Sequence, residues 1–359
     1  MTLLKRSPPR AAGYGALSVL VASIAIIATL WTTGWSLTAL PRVDSKTKLG
    51  TVARALDPGF HTVHPGAYDG QFYWGIAVDP LATGNAHKAF DKASYRYGHP
   101  LYGWLAWLLS AGWAKVAPAA LVLVGLASLF AAATIAATLG ISRGGSGWQG
   151  LFVALNPGLI IAAAQDLAEP LASALLLGAF AAHARGRRKT AWVCLALLPL
   201  VKEPLVLALA AVVGWELVQR RRERAAIFAT AVIPALLWWT YARIHLGAWF
   251  TSGDTALGSP LAGWRSALFD TSIHPHESVL RQSAAMAVIV ALLVVLAFAC
   301  FRALRLRSPV DYGYVGLAAV GVCLAPNAVV ELSTALRNTA FVLVLVPFVV
   351  AAPALRPSR

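Results

Sequence analysis

The sequence predicts an all-α, polytopic membrane protein. Of its 359 residues 58% are hydrophobic and only 13% are charged, and the apolar residues fall in long runs separated by short basic clusters. In lipid every backbone amide and carbonyl needs an internal partner, which a long apolar run supplies by coiling into a helix. The net charge of +15 invites a nucleic-acid reading. Bases confined to short clusters between apolar runs are instead the pattern of cytoplasmic loops. No basic stripe or recognition motif accompanies them, so nucleic acid is not expected as a partner. Cys194, Cys300 and Cys323 lie inside apolar runs without CxxC spacing and read as small core residues.

Taken in order, Lys5, Arg6 and Arg10 precede an apolar run over residues 14–40. That run is too long for a signal-peptide core and no small-x-small cleavage site follows it. It is read as an uncleaved first span with the N-terminus in the cytoplasm. Residues 41–98 then lie outside. The apolar stretch 99–113 (HPLYGWLAWLLSAGW) has the length of a re-entrant or interfacial helix. Together, residues 41–113 form a first external loop with surface helices.

Two basic clusters, Arg185 to Lys189 and Arg220 to Arg224, should both be cytoplasmic, so an even number of crossings separates them. Residues 190–218 are therefore a hairpin turned at Lys202-Glu203-Pro204. By the same argument 148–184 is a hairpin turned at Gln165 to Pro170. This puts Arg143 inside, provided that 99–113 does not cross. Residues 225–245 then exit, 246–282 form a second external loop, 283–301 return and 310–326 exit. Residues 327–337 lie outside, and 338–353 bring Arg356 and Arg359 in. The expectation is a single transmembrane domain over 1–359 with about ten spans and both termini cytoplasmic. Of the fifteen acids only Glu216, Glu223 and Asp311 fall inside, while more than half of the thirty bases do. The acids thus segregate to the outer side independently of the basic clusters that set the topology.

Each hairpin arm is short of the roughly 30 Å of the hydrocarbon core. The turns should therefore sit sunk in the outer leaflet, where Asp166, Glu169, Lys202 and Glu203 would be costly against lipid and read as functional. A second candidate segment is 64–80, HPGAYDGQFYWGIAVDP, in the first external loop. It places Asp69 between Gly66 and Gly70 and among Tyr68, Gln71, Tyr73 and Trp74. An acid at the edge of low dielectric can be tuned for proton transfer, and aromatic groups there can stack on a ligand. The pattern GxGxxG at 145–150 follows no strand and opens an apolar run, so it is a loop rather than a dinucleotide site. His61 with His64, and His274 with His276, have spacings that could hold a metal, but read as histidines near headgroups. No metal site and no organic cofactor are assigned; a divalent cation is left open.

Four segments resemble the GT-C superfamily of membrane glycosyltransferases, its mannosyltransferase-like bacterial members in particular. They are YDGQFYW at Tyr68 to Trp74, RYGHPLYGWLAWLL at Arg96 to Leu109, QDLAEPLASALLL with Asp166 and Glu169, and VKEPLVL with Lys202 and Glu203. The resemblance covers roughly residues 60–215. It implies a multi-pass cell-membrane hexosyl- or pentosyltransferase with its active site on the extracytoplasmic side. Such an enzyme takes a sugar from a polyprenyl-phosphate carrier and passes it, with inversion, to a cell-envelope glycan or glycolipid acceptor. Asp69 would be the general base. Tyr68, Gln71, Tyr73, Arg96, Asp166, Glu169, Lys202, Glu203 and Arg337 would bind substrate, and Arg281 is a further external base. The chain departs from many relatives in having one acid in its first-loop motif. No soluble C-terminal domain is expected after the last span. The rival readings are a transporter or lipid-linked sugar flippase, and a non-catalytic envelope-assembly subunit. A transport path predicts charge in the inner halves of the spans, where Glu216 is the main exception to an almost complete absence.

Overall fold

The computed structural model describes residues 8–142, 146–252, 256–270 and 279–351. Helices α1 (Pro8–Thr32) and α6 (Ala117–Ser142) are uninterrupted apolar rods that pack side by side. Between them come α2 (Lys48–Leu56), α3 (Gly70–Val78), α4 (Ala93–Arg96) and α5 (Leu101–Ser110). Thr47 caps α2 by accepting from the Gly50 amide. Helix α5 has ten residues, about 15 Å at 1.5 Å per residue, too short to cross a hydrocarbon core. It ends where Ala111 and Gly112 take positive φ.

Next come α7 (Trp148–Ala154), α8 (Pro157–Ala163), α9 (Glu169–Ala184), α10 (Arg188–Val201) and α11 (Val206–Val218). The first arm expected over 148–164 is thus two pieces. Pro157 has no amide to continue the ladder, and the Asn156 side chain starts a new helix by accepting from the Gly158 and Leu159 amides. The two arms joined at Lys202 to Pro204 are also poor neighbours of each other. Helix α10 packs mainly on α9, and α11 on the later helix α16 (Pro309–Val322).

The chain continues through α12 (Arg222–Ala229), α13 (Ile233–Leu246), α14 (Ala262–Phe269) and α15 (Val279–Ala303). It closes with α16 (Pro309–Val322), α17 (Pro326–Val329), α18 (Leu332–Leu343) and α19 (Val346–Val350). The last span, expected over 338–353, is divided between α18 and α19, with Pro347 in the first turn of α19. Arg337 accordingly lies within α18 and not in a loop. Among the described residues the only β pairing is two isolated bridges, Asp44 with Val63 and Leu257 with Leu324.

Among the described residues four helical stretches are long and apolar enough to cross a membrane: Arg10–Thr32, Ala117–Ser142, Arg222–Leu246 and Arg281–Ala303. The last leaves Met286, Val290, Val294, Phe298 and Phe301 exposed, as a lipid-facing helix does. Trp31, Trp35, Trp107 and Trp113 are exposed near the C-terminal ends of α1 and α5, like an interfacial aromatic belt. His274 and His276, the GxGxxG start, Arg143 and the charged termini of the charge map lie outside the described residues, as do parts of the second external loop.

Candidate functional site

The first loop is held in place by side chains reaching backbone carbonyls. From α13, Trp238 and Trp239 donate their indole N–H groups to the Tyr97 and Gly98 carbonyls at 2.6 and 2.8 Å. Trp104 donates to the Pro80 carbonyl, and His245 meets that of Ala82 at 2.7 Å. Asp79, buried at the end of α3, accepts from the amides of Thr83, Gly84 and His87 and from the His87 ring. The start of α3 is pressed against the turn between α8 and α9. A Cβ on Gly70 would collide with the Gln165 carbonyl oxygen, so glycine is what lets the two segments meet.

That approach brings together charges from five segments of the chain. Arg96 Nη1 lies 3.2 Å from Asp69 Oδ1, and Arg337 Nη1 lies 2.9 Å from Asp69 Oδ2. Arg337 also approaches Glu169 at 3.7 Å, and Lys202 Nζ is 2.8 Å from Glu169 Oε1. The result is a row of alternating sign: Arg96, Asp69, Arg337, Glu169, Lys202. Desolvation pushes the Asp69 carboxyl up, but Arg337 and Arg96 outweigh it and hold the group below the usual carboxylate range. Beside this row, His99 Nδ1 lies 2.8 Å from Glu203 Oε1.

All of these groups except Glu169, which lies behind Lys202 and Arg337, line a cavity of about 640 Å³, within the range of small-molecule sites. Asp69, Arg96, Lys202, Glu203, Arg337, Tyr68 and Tyr73 all contribute to its wall. Tyr68 faces Thr334 Oγ1 at 3.2 Å and has the Arg337 guanidinium 4.9 Å from its ring centre. The Arg96 guanidinium stacks 3.6 Å over Phe72. Asp69 keeps 38% of its side chain exposed, so it is reachable from the cavity despite its two partners.

Other expected residues lie elsewhere. Asp166 does not line the cavity; it is wholly buried with φ +51°, and neither carboxylate oxygen has a hydrogen-bond partner among the described residues. It is a residue of the tight turn between α8 and α9, a conformation that Asp tolerates better than most. Gln71 points to the loop backbone, its Oε1 accepting from the Asp44 amide at 3.4 Å. Trp74 is fully buried against Phe60 and cannot stack on a ligand. Arg281 lines a different cavity of about 740 Å³, which shares only the Val330–Glu331 wall with the first. His99, Tyr95, Lys92 and Glu331 also line the first cavity. The sequence reading missed them, although His99 stands inside the RYGHPL segment it singled out. No group of three or more potential metal ligands occurs among the described residues.

At the other end of α9 and α11, His183 Nε2 lies 2.7 Å from Glu216 Oε1, and Arg221 approaches the same carboxylate at 3.9 Å. The two basic clusters beside these residues therefore share one end of the bundle, opposite Glu169 and Lys202.

No family model and no curated protein matches the chain. Among solved structures it is similar to ArnT from Cupriavidus metallidurans in the apo state, with a TM-score of 0.52 and 14% identity over 96% of this chain. The chain spans 61% of that protein's length. At this identity the likeness is one of fold.

Proposed function

We propose that the protein is a membrane glycosyltransferase that moves a hexosyl or pentosyl group from a polyprenyl-phosphate carrier to an extracytoplasmic glycan or lipid acceptor. The reading includes about ten spans, both termini in the cytoplasm and the cavity on the outer side. The observation that carries it is Asp69 clamped between Arg96 and Arg337 in the wall of a cavity, with Lys202 on the same row. The GT-C resemblance of the segments that supply Asp69, Arg96 and Lys202 supports it, as does the fold shared with ArnT.

The chemistry follows from the groups. A departing phosphate gains from positive charge, and Arg96, Arg337 and Lys202 supply three cations. A glycosyl phosphate entering the cavity competes with Asp69 for the two arginines. As they turn to the phosphate, the carboxylate loses the partners that depress its basicity and becomes a better proton acceptor. Asp69 then takes the proton of the acceptor hydroxyl while that oxygen attacks the anomeric carbon from the face opposite the phosphate. The C–O bond to phosphate breaks with inversion. Tyr68 and Tyr73 line the cavity where a sugar ring would lie. Glu169 holds Lys202 and Arg337 in register.

The test is direct. Purified protein in lipid nanodiscs is given synthetic polyprenyl-phosphate sugars labelled in the sugar, together with envelope glycolipid or glycan acceptors. Transfer with inverted anomeric configuration is expected. No transfer from any donor, combined with no binding of a prenyl phosphodiester, would overturn the reading.

A further inference from the structure

We propose that His99, oriented by Glu203, is the proton donor to the departing phosphate. The inference rests on the prenyl-phosphate reading above and deepens it by adding an acid to the proposed base.

The geometry is that of an imidazole fixed from behind. Nδ1 is committed to Glu203 Oε1 at 2.8 Å, which leaves Nε2 for whatever enters the cavity. An N–H of imidazole bonded to a carboxylate sets the tautomer and holds the ring plane. The ring is held on its edges as well. Tyr73 of α3 and Tyr95 of α4 pack against it at 6.1 and 5.4 Å between ring centres, both edge-to-face. The indole bonds from α13 to the Tyr97 and Gly98 carbonyls fix the backbone just before it. The titratable groups facing His99 are thus Glu203, Tyr73 and Tyr95. Arg96 and Lys202 stand on the same two segments as His99 and Glu203, and Asp69, Lys92 and Glu331 line the same cavity. His99 therefore lines the same cavity as the cations that would hold a phosphate, and an imidazolium N–H can donate to a phosphate oxygen.

The step balances. The acceptor hydroxyl passes its proton to Asp69 and its oxygen bonds to the anomeric carbon. The bond between that carbon and the phosphate oxygen breaks, and the oxygen takes the Nε2 proton of His99. The products are the glycoside and a prenyl hydrogen phosphate. The proton on Asp69 returns to His99 through water in the open cavity, so no proton is gained or lost over the cycle. Glu203 acts through His99 and is a positioning residue.

The experiment uses binding and turnover together. Farnesyl methyl phosphate, a diester whose charge does not change with pH, is titrated into the intact protein in nanodiscs from pH 5.5 to 9. Wild-type affinity should fall by about tenfold as pH rises, because a charge-assisted hydrogen bond is lost. In His99→Lys, whose charge persists through that range, the fall should vanish while binding stays tight. In His99→Gln, binding should be weak and flat. Glu203→Gln should keep the fall but move it to lower pH, a shift that a merely structural role would not produce. Turnover of a polyprenyl-phosphate sugar should show the same alkaline loss, and His99→Lys should remove it. A pH-independent wild-type affinity, or an alkaline loss that survives in His99→Lys, would overturn the assignment while leaving the transferase reading intact. Absence of diester binding at every pH would instead overturn the prenyl-phosphate reading, and this inference with it.

Discussion

Arg337 of α18 reaches Asp69 of the first loop at 2.9 Å across 268 residues of sequence. The contact closes the cavity's charged row, because the same guanidinium also approaches Glu169. One consequence concerns the proposed base. Asp69→Asn keeps shape and much of the hydrogen bonding but cannot accept a proton. Turnover should fall by about 10² to 10⁴, the usual contribution of general-base catalysis. Binding of a prenyl phosphodiester should persist or tighten, since the arginines are released. Wild-type turnover in folded Asp69→Asn would remove the loop from the catalytic centre.

Glu169 is buried beside two cations, Lys202 and Arg337. Glu169→Gln leaves Lys202 without its carboxylate in a low-dielectric seat, and breaking such a pair costs about 3 kcal/mol or more. The variant should melt at a lower temperature in detergent than wild type. Adding Lys202→Met should recover part of the loss. Equal melting temperatures for wild type and Glu169→Gln would show that the pair contributes nothing to stability.

Asp79 gives the first loop a pH dependence. Burial pushes its carboxyl up, but the Gly84 and His87 amides and the His87 ring hold it below the usual value. A depressed acid contributes stability that is present above its unfolded pKa and is lost as pH falls through the folded one. Acidification below the ordinary carboxylate range should therefore loosen the segment around residues 79–87, read by hydrogen exchange of the Thr83 and Gly84 amides. Asp79→Asn should exchange faster at neutral pH and show a weaker acid dependence. Identical exchange in the two proteins would refute the role.

Sidedness is tested by labelling. In a background without Cys194, Cys300 and Cys323, single cysteines at Asp91 and Arg187 should react from opposite faces of a right-side-out membrane. Asp91 is half exposed beside Arg96, and Arg187 is exposed at the far end of α9. Labelling of position 187 by an impermeant reagent from outside would reverse the map.

Apolar run length and charge segregation are properties of the chain itself, because lipid demands internally bonded backbone whatever the tertiary arrangement. The helical membrane class was therefore legible in the sequence, as were the candidate segments around Asp69, Lys202 and Glu169. Helix breaks were less so. Pro157 and Pro347 are visible as residues, but whether a proline kinks, ends or merely starts a helix depends on partners such as the Asn156 cap. What the tertiary structure alone decided is which charges meet. Asp166 and Glu169 stand three residues apart in one acidic turn. Helix α9 carries Glu169 into the row with Lys202 and Arg337, while the turn's left-handed backbone buries Asp166 away from it. His99 meets a partner 104 residues away from a loop that α13 holds by its two indole bonds. Distances of that kind are set by packing between helices remote in the chain, and no local pattern encodes them.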